Sequence, residues 1–348
     1  MLFLCVLKGK RVLSILIWLI ILFFVFAILI SNGLNQSIAV ENENGKTYIK
    51  WVSFDVTYPA LKKAMNLDIS SHNKDGVYKH NWIEILSYLG AKYGGKFSRY
   101  KESDMNDYVK RLEAGETVED ITKDMKYYAF YLEAYTAVLC EYIGNYKVQV
   151  KNKDGVVEWQ DKYGLKVFSP IAAGYGYNDY DDFGAGRDYG YKRKHLGHDM
   201  MGSTGTPIIA VESGIVEAVG WNRYGGWRVG IRSFDKKRYY YYAHLRQDTP
   251  YVKDLEEGMV VKAGDVIGYM GRTGYSIKEN VSNIETTHLH FGIQLIFDEV
   301  QKEGINQIWI DCYPIARLLK LNRSQVIKDR NTKDFRRAYD FFEDNLQE

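Results

Sequence analysis

Three observations in this 348-residue chain predict a multidomain α+β architecture. An unbroken apolar run stands near the N-terminus. A long stretch with apolar residues at helical spacing follows it. Beyond that, short β-rich runs alternate with glycine turns and carry most of the histidines. The predicted order is an N-terminal transmembrane helix, a small α-helical domain, and an antiparallel β-sheet domain with C-terminal helices.

Composition is ordinary for folded protein, with 46% hydrophobic and 26% charged residues. A net charge of +2, with no basic block beyond the extreme N-terminus, gives no electrostatic case for nucleic acid. Packing and strand propensity account for most of the 29 tyrosines. The three cysteines, Cys5, Cys140 and Cys312, form no CxxC pattern, and the latter two are expected as free, buried thiols.

Residues Val12 to Ile30 are apolar apart from Ser14, long enough to span a bilayer. Lys8, Lys10 and Arg11 precede the run, and no Lys or Arg follows until Lys46. The positive-inside rule therefore puts 1–11 in the cytoplasm, the anchor at 12–31, and the rest outside the cell membrane as a single-pass protein. Ser37-Ile38-Ala39 fits a cleavage site poorly, so an uncleaved anchor is favoured. Residues 32–50 read as a linker.

Residues 51–147 read as a compact bundle of three or four helices. Trp82, Ile85, Leu86, Leu89 and Tyr93 fall at 3.6-residue spacing. So do Met105, Tyr108, Val109 and Leu112, and again Met125, Tyr128, Leu132, Tyr135 and Leu139. Ser103 and Thr117 are candidate N-caps, and Gly94-Gly95 and Gly115 mark breaks. The Tyr127–Tyr135 stripe reads as core, and His72 and His80 read as surface residues. Nothing in the sequence identifies a protein partner for this domain.

A Gly-, Asp- and Tyr-rich transition runs from Tyr146 to Arg193. Its Asp179–Asp182 cluster lacks calcium-loop spacing. Strands are then expected at Ile208–Val211, Ile215–Val219, Arg228–Ser233, Tyr239–Ala243, Val266–Met270 and His288–Leu295, with turns at Gly225-Gly226 and Phe234–Lys237. The sheet domain occupies 160–300, with histidines on one face. Residues 301–348 are a helical extension, with helices at Ile315–Leu321 and Phe335–Phe342.

Five of the seven histidines lie in three clusters, His195-Leu196-Gly197-His198-Asp199, Tyr242-Ala243-His244-Leu245 and His288-Leu289-His290-Phe291. His288 and His290 share one strand face but stand about 6–7 Å apart, so a straight strand offers one to an ion and leaves the other for the water beside it. Gly197 and the Gly202–Pro207 stretch argue that His195 and Asp199 come from a strand-to-loop segment rather than a helix. In an extended segment His198 points away from Asp199 and is left out. Two His and one Asp is a common catalytic zinc set, with a fourth position for water.

These clusters resemble peptidase family M23, the lysostaphin- or LytM-type zinc peptidases. The resemblance runs from about Arg187 to Ile296. It includes Gly205-Thr206-Pro207, Gly214-Ile215-Val216, Gly264–Gly268 and Gly271-Arg272-Thr273-Gly274 besides the histidine motifs. It implies His195, Asp199 and His290 as Zn2+ ligands and His244 and His288 as the catalytic pair. The sheet domain is then an M23-like peptidase domain in a membrane-anchored, zinc-dependent endopeptidase that cuts peptidoglycan peptides. The alternative is a non-catalytic or weakly catalytic LytM-type scaffold or regulator of wall hydrolysis, or a channel component in sporulation. The chain departs from the pattern at Tyr275–Thr287, where a longer connection leads to His288 and is placed to cover or narrow the groove. Arg187 matches an arginine often found ahead of the first motif.

Overall fold

The computed structural model describes residues 39–42, 45–188, 192–304 and 306–343. The segment 12–31, expected as a membrane span, lies outside them. Among the described residues no helix is long and apolar enough to cross a membrane. The chain divides into two units, 1–50 and 51–348. In the first, part of the stretch expected as a linker is a hairpin, with Ala39–Glu41 antiparallel to Thr47–Ile49. The polar Asn42 makes its turn, its side chain accepting from Lys46 N–H at 3.0 Å.

The second unit opens with five helices among its described residues, Tyr58–His72, Trp82–Tyr93, Glu102–Glu113, Val118–Thr122 and Tyr128–Leu139. Trp82–Tyr93 starts on Asn81, whose side chain accepts from Ile83 and Glu84, and stops at Gly94, whose positive φ suits glycine. Thr117 forms a capping box with Asp120. Ser103 is not a cap, because the helix already begins at Glu102 behind Lys101. Leu86, Leu89, Met105, Tyr108 and Tyr135 are fully buried between these helices. Of the tyrosine stripe expected as core, only Tyr135 is in it; Tyr128 and Tyr131 are half-buried and Tyr127 is exposed. His80 is also buried, against the surface reading, and its Nε2 lies 3.1 Å from the Glu113 carboxylate. His72 is half-buried and stacks on Tyr163.

A long hairpin follows, Ile143–Lys151 against Val157–Leu165, where the sequence reads as a turn-rich transition. Most of its second strand is exposed on both faces, so no polar–apolar alternation marks it. Among the described residues the main sheet then has eight antiparallel strands. Val260–Val261, Gly214–Asn222, Gly226–Ser233, Arg238–Ala243, His288–Leu295, His198–Met201 and Asn178–Tyr180 lie side by side in that order. Ile308–Ile310 pairs with the last residues of His288–Leu295. Pro207–Ile209 and Val266–Tyr269 form a separate pair. The strands expected from sequence are present close to their expected bounds.

At the C-terminal end the expected helix Ile315–Leu321 is found at Tyr313–Leu319. The expected helix Phe335–Phe342 is wrong. Phe335–Arg337 is a strand paired with Val326–Lys328, and Phe341–Phe342 pairs with Lys147 and Val148 of the long hairpin. Period two decides this, because alternate residues Phe335 and Arg337 are both held. Phe335 packs on Tyr175 and Tyr269, and the Arg337 guanidinium donates to Asp265 and Ala263 O.

Arg238 ties helices to sheet. It is fully buried, donates from Nε and Nη2 to Glu212 at 2.8 and 2.9 Å, and donates from Nη1 to Ala137 O at 2.7 Å at the end of the helix Tyr128–Leu139. Removing one partner leaves a buried, uncompensated charge. Arg238→Ala is therefore expected to cost about 3–5 kcal/mol in urea unfolding, with the double variant Arg238→Met/Glu212→Leu losing less than the single one.

Candidate active site

The site is built by strand register. Ala243 pairs with His290, and His290 pairs with Asp199. Directly opposed residues share a sheet face, so these three point one way, and Leu289, Phe291 and Met200 go into the core, fully buried. His195 precedes the strand His198–Met201 and is fixed by backbone bonds to Gly184 and Ala185. Gly197 has to be glycine. A Cβ there would lie 2.5 Å from the His290 ring and 2.9 Å from Phe291 O.

Three ligand atoms converge. His195 Nε2 is 3.0 Å from Asp199 Oδ1 and 3.0 Å from His290 Nδ1, and His290 Nδ1 is 2.9 Å from Asp199 Oδ1. These are the three residues whose donor atoms group as a metal set among the described residues. A tetrahedral zinc with bonds near 2.0 Å needs donors about 3.3 Å apart, so the triangle has only to open by a few tenths of an ångström. The donor types fit as well. His195 Nδ1 lies 2.9 Å from Asp182 Oδ1, which holds the ring with Nε2 inward, the usual carboxylate support of a metal-binding histidine. Arg187 donates to Asp199 Oδ2 at 3.0 Å and also pairs with Asp182.

The electrostatics follow from burial and these bonds. Burial would raise the Asp199 pKa, but hydrogen bonds from His195 and His290 outweigh it and hold the carboxyl far below its usual range. Burial pulls His195 down, yet its bond to Asp199 and the Asp199 and Asp182 charges leave it net raised. Burial wins at His290, which is lowered.

His244 and His288 face this triangle. Their rings are 4.8 Å apart, and His288 Nε2 is 3.8 Å from Asp199 Oδ1. His244 sits at φ +63°, the end of its strand. Its Nδ1 contacts Thr273 O at 2.9 Å, and His288 Nδ1 contacts Thr286 O at 2.7 Å. A carbonyl only accepts, so both rings carry their hydrogen on Nδ1 and a lone pair on Nε2 when neutral. Burial, with the neighbouring His288 and His290 charges, holds His244 well below its ordinary pKa.

All five sequence-predicted residues line one cavity of about 490 Å³. His198 is on the other side, its Nε2 2.9 Å from Asp179. Tyr275 and Asn283 to Thr286 of the Tyr275–Thr287 connection also line the cavity. That connection is pinned from outside, with Asn280 accepting from Trp227 Nε1 and donating to Asp248. Asp182 is the supporting residue that the sequence reading missed. Its acidic cluster was visible, but nothing in the spacing tied it to His195.

Gly197→Ala is expected to displace the His290 ring and lower affinity for a divalent metal at least about tenfold, measured by competition with a chelator.

The family model for Peptidase family M23 matches residues 193–304. The chain is 37% identical over 148 residues to the L-Ala–D-Glu endopeptidase of Bacillus subtilis (strain 168), covering 42% of this chain and 41% of that protein. It is 35% identical over 119 residues to lysostaphin of Staphylococcus simulans, covering 34% of this chain and 20% of that one. It thus spans less than half the length of either relative. The crystallised catalytic domain of lysostaphin from Staphylococcus simulans overlays with a TM-score of 0.32 at 28% identity, over 40% of this chain and 92% of that domain. Residues 193–304 of this chain are a domain of peptidase family M23, a family of zinc metallopeptidases.

Proposed function

We propose that the protein is a zinc-dependent endopeptidase that hydrolyses peptide bonds of bacterial peptidoglycan. The observation that carries this reading is the convergence of His195, Asp199, His290, His244 and His288 on one cavity. The endopeptidase name of the Bacillus subtilis relative supports it. Zinc held by His195, Asp199 and His290 supplies a Lewis acid that polarises the scissile carbonyl and makes water more acidic. His244 and His288 supply the proton traffic. A neutral ring accepts the proton of the attacking water on Nε2 while the new C–O bond forms. The protonated ring donates to the oxyanion, then passes its proton to the amine nitrogen as the C–N bond breaks. The Nδ1 bonds to Thr273 O and Thr286 O hold both rings at the required angle. Burial keeps His244 neutral and able to accept.

The test uses the full chain with zinc on isolated walls of several cross-link types. New amino groups are expected without new reducing ends, since amide bonds are cut and glycosidic bonds are spared. A chelator stops the release, and added zinc restores it. His288→Ala is expected to keep its zinc and lose at least about 100-fold in rate. Wall binding with no amine release on any wall type sinks the enzyme reading in favour of a scaffold.

The apolar run at 12–31 with Lys8, Lys10 and Arg11 before it supports a single-pass anchor with the peptidase domain outside the cytoplasm. A reporter enzyme fused after Glu348 is expected to be active only outside the cytoplasm, with the N-terminus retained. A processed N-terminus near Val40 would mean secretion instead.

A further inference from the structure

The sheet face that carries the site continues into a second groove of about 730 Å³, which shares Arg193, His195, Tyr224, Tyr241 and His290 with the first. Arg228 lines it. By register Arg228 lies one residue beyond the Val229–Tyr242 pair and so opposite Ala243, which itself pairs with His290. It therefore stands in the cross-strand row of His290 and Asp199, two strands from His290, or about 10 Å along the row.

Its charge is unmatched. Arg232, two residues on, is paired with Glu217 and Glu299. The half-buried Arg228 guanidinium has no carboxylate partner among the described residues. Among the described residues Glu217 is the one carboxylate lining the groove, and it is engaged by Lys302 and Arg232. Arg193, Lys194 and Lys302 add further positive charge to the lining. A partly desolvated guanidinium in a groove also lined by Tyr239 and Tyr241 is a planar, five-donor site for a carboxylate.

We propose that this groove is a subsite for a substrate carboxylate. Arg228 holds a free carboxylate about three extended residues from the cleaved bond, which makes the substrate an acidic wall peptide rather than a neutral glycine bridge. The cleavage part rests on the endopeptidase reading, whereas the binding part stands without it.

The full chain is loaded with zinc and compared as wild type, Arg228→Gln and Arg228→Lys. The probes are isolated peptidoglycan and the same material with its free carboxyl groups converted to carboxamides. Co-sedimentation reads binding, and amine release reads kcat/KM. Amidation is expected to cost wild type about tenfold in binding and, where turnover occurs, in kcat/KM. Arg228→Gln is expected to show that loss already on native wall and no further loss on amidated wall, while Arg228→Lys recovers part of it. Unchanged zinc content and thermal midpoint show that the variants fold. Wild-type binding by Arg228→Gln on native wall overturns the proposal, and so does an equal loss on both walls. An Arg228-dependent preference for native wall with no amine release overturns the endopeptidase reading and leaves the subsite in place.

Discussion

The pairing of His288–Leu295 with Arg238–Ala243 on one side and His198–Met201 on the other is the constraint on which the site depends. Side chains alternate along a strand, so a slip of one residue would turn His288 and His290 into the core and Leu289 and Phe291 out to solvent. The core prevents this. Leu289, Phe291, Ile293 and Leu295 are all fully buried on the far face. At about 1.5–3 kcal/mol for each buried side chain, exposing the four would cost on the order of 10 kcal/mol, comparable to the whole stability of a domain. The metal triangle is thus held in place by apolar residues that never touch it. His198 follows the same rule, since it pairs with Phe291 and so faces away from Asp199.

The charges around the triangle are arranged to suit an ion. With neutral imidazoles, Asp182 and Asp199 bring two negative charges and Arg187, bonded to both, brings one positive. A divalent cation leaves the cluster net positive, as a centre that must draw electron density from a carbonyl requires. Arg187 also occupies Asp199 Oδ2, so that Oδ1 is the oxygen turned to the two histidines.

The sheet and the five residues that converge on one cavity were legible because both leave short-range signals. Strand alternation repeats every two residues, and clustered histidines stand out in a chain with only seven. What escaped depends on distance or lacks a pattern. Asp182 reaches His195 through folding of the intervening loop and matches no spacing rule. The strand Val157–Leu165 is largely exposed on both faces, so its polar residues read as loop. Phe335 and Arg337 alternate, but Arg337 is held by charge and backbone contacts to distant residues, so the apolar pattern alone suggested a helix. His80 read as a surface residue because its partner Glu113 lies two helices away.

The pairing of Phe341–Phe342 with Lys147 and Val148 has a consequence for how the chain is made. The partners lie about two hundred positions apart. At roughly 5–20 residues per second, synthesis leaves the long hairpin without its third strand for about 10–40 seconds. During that interval one edge of the hairpin presents open backbone donors and acceptors, the template on which strands from other chains can pair. Lysines on that edge strand, Lys147 and Lys151, disfavour such pairing until Phe341–Phe342 arrive to close it.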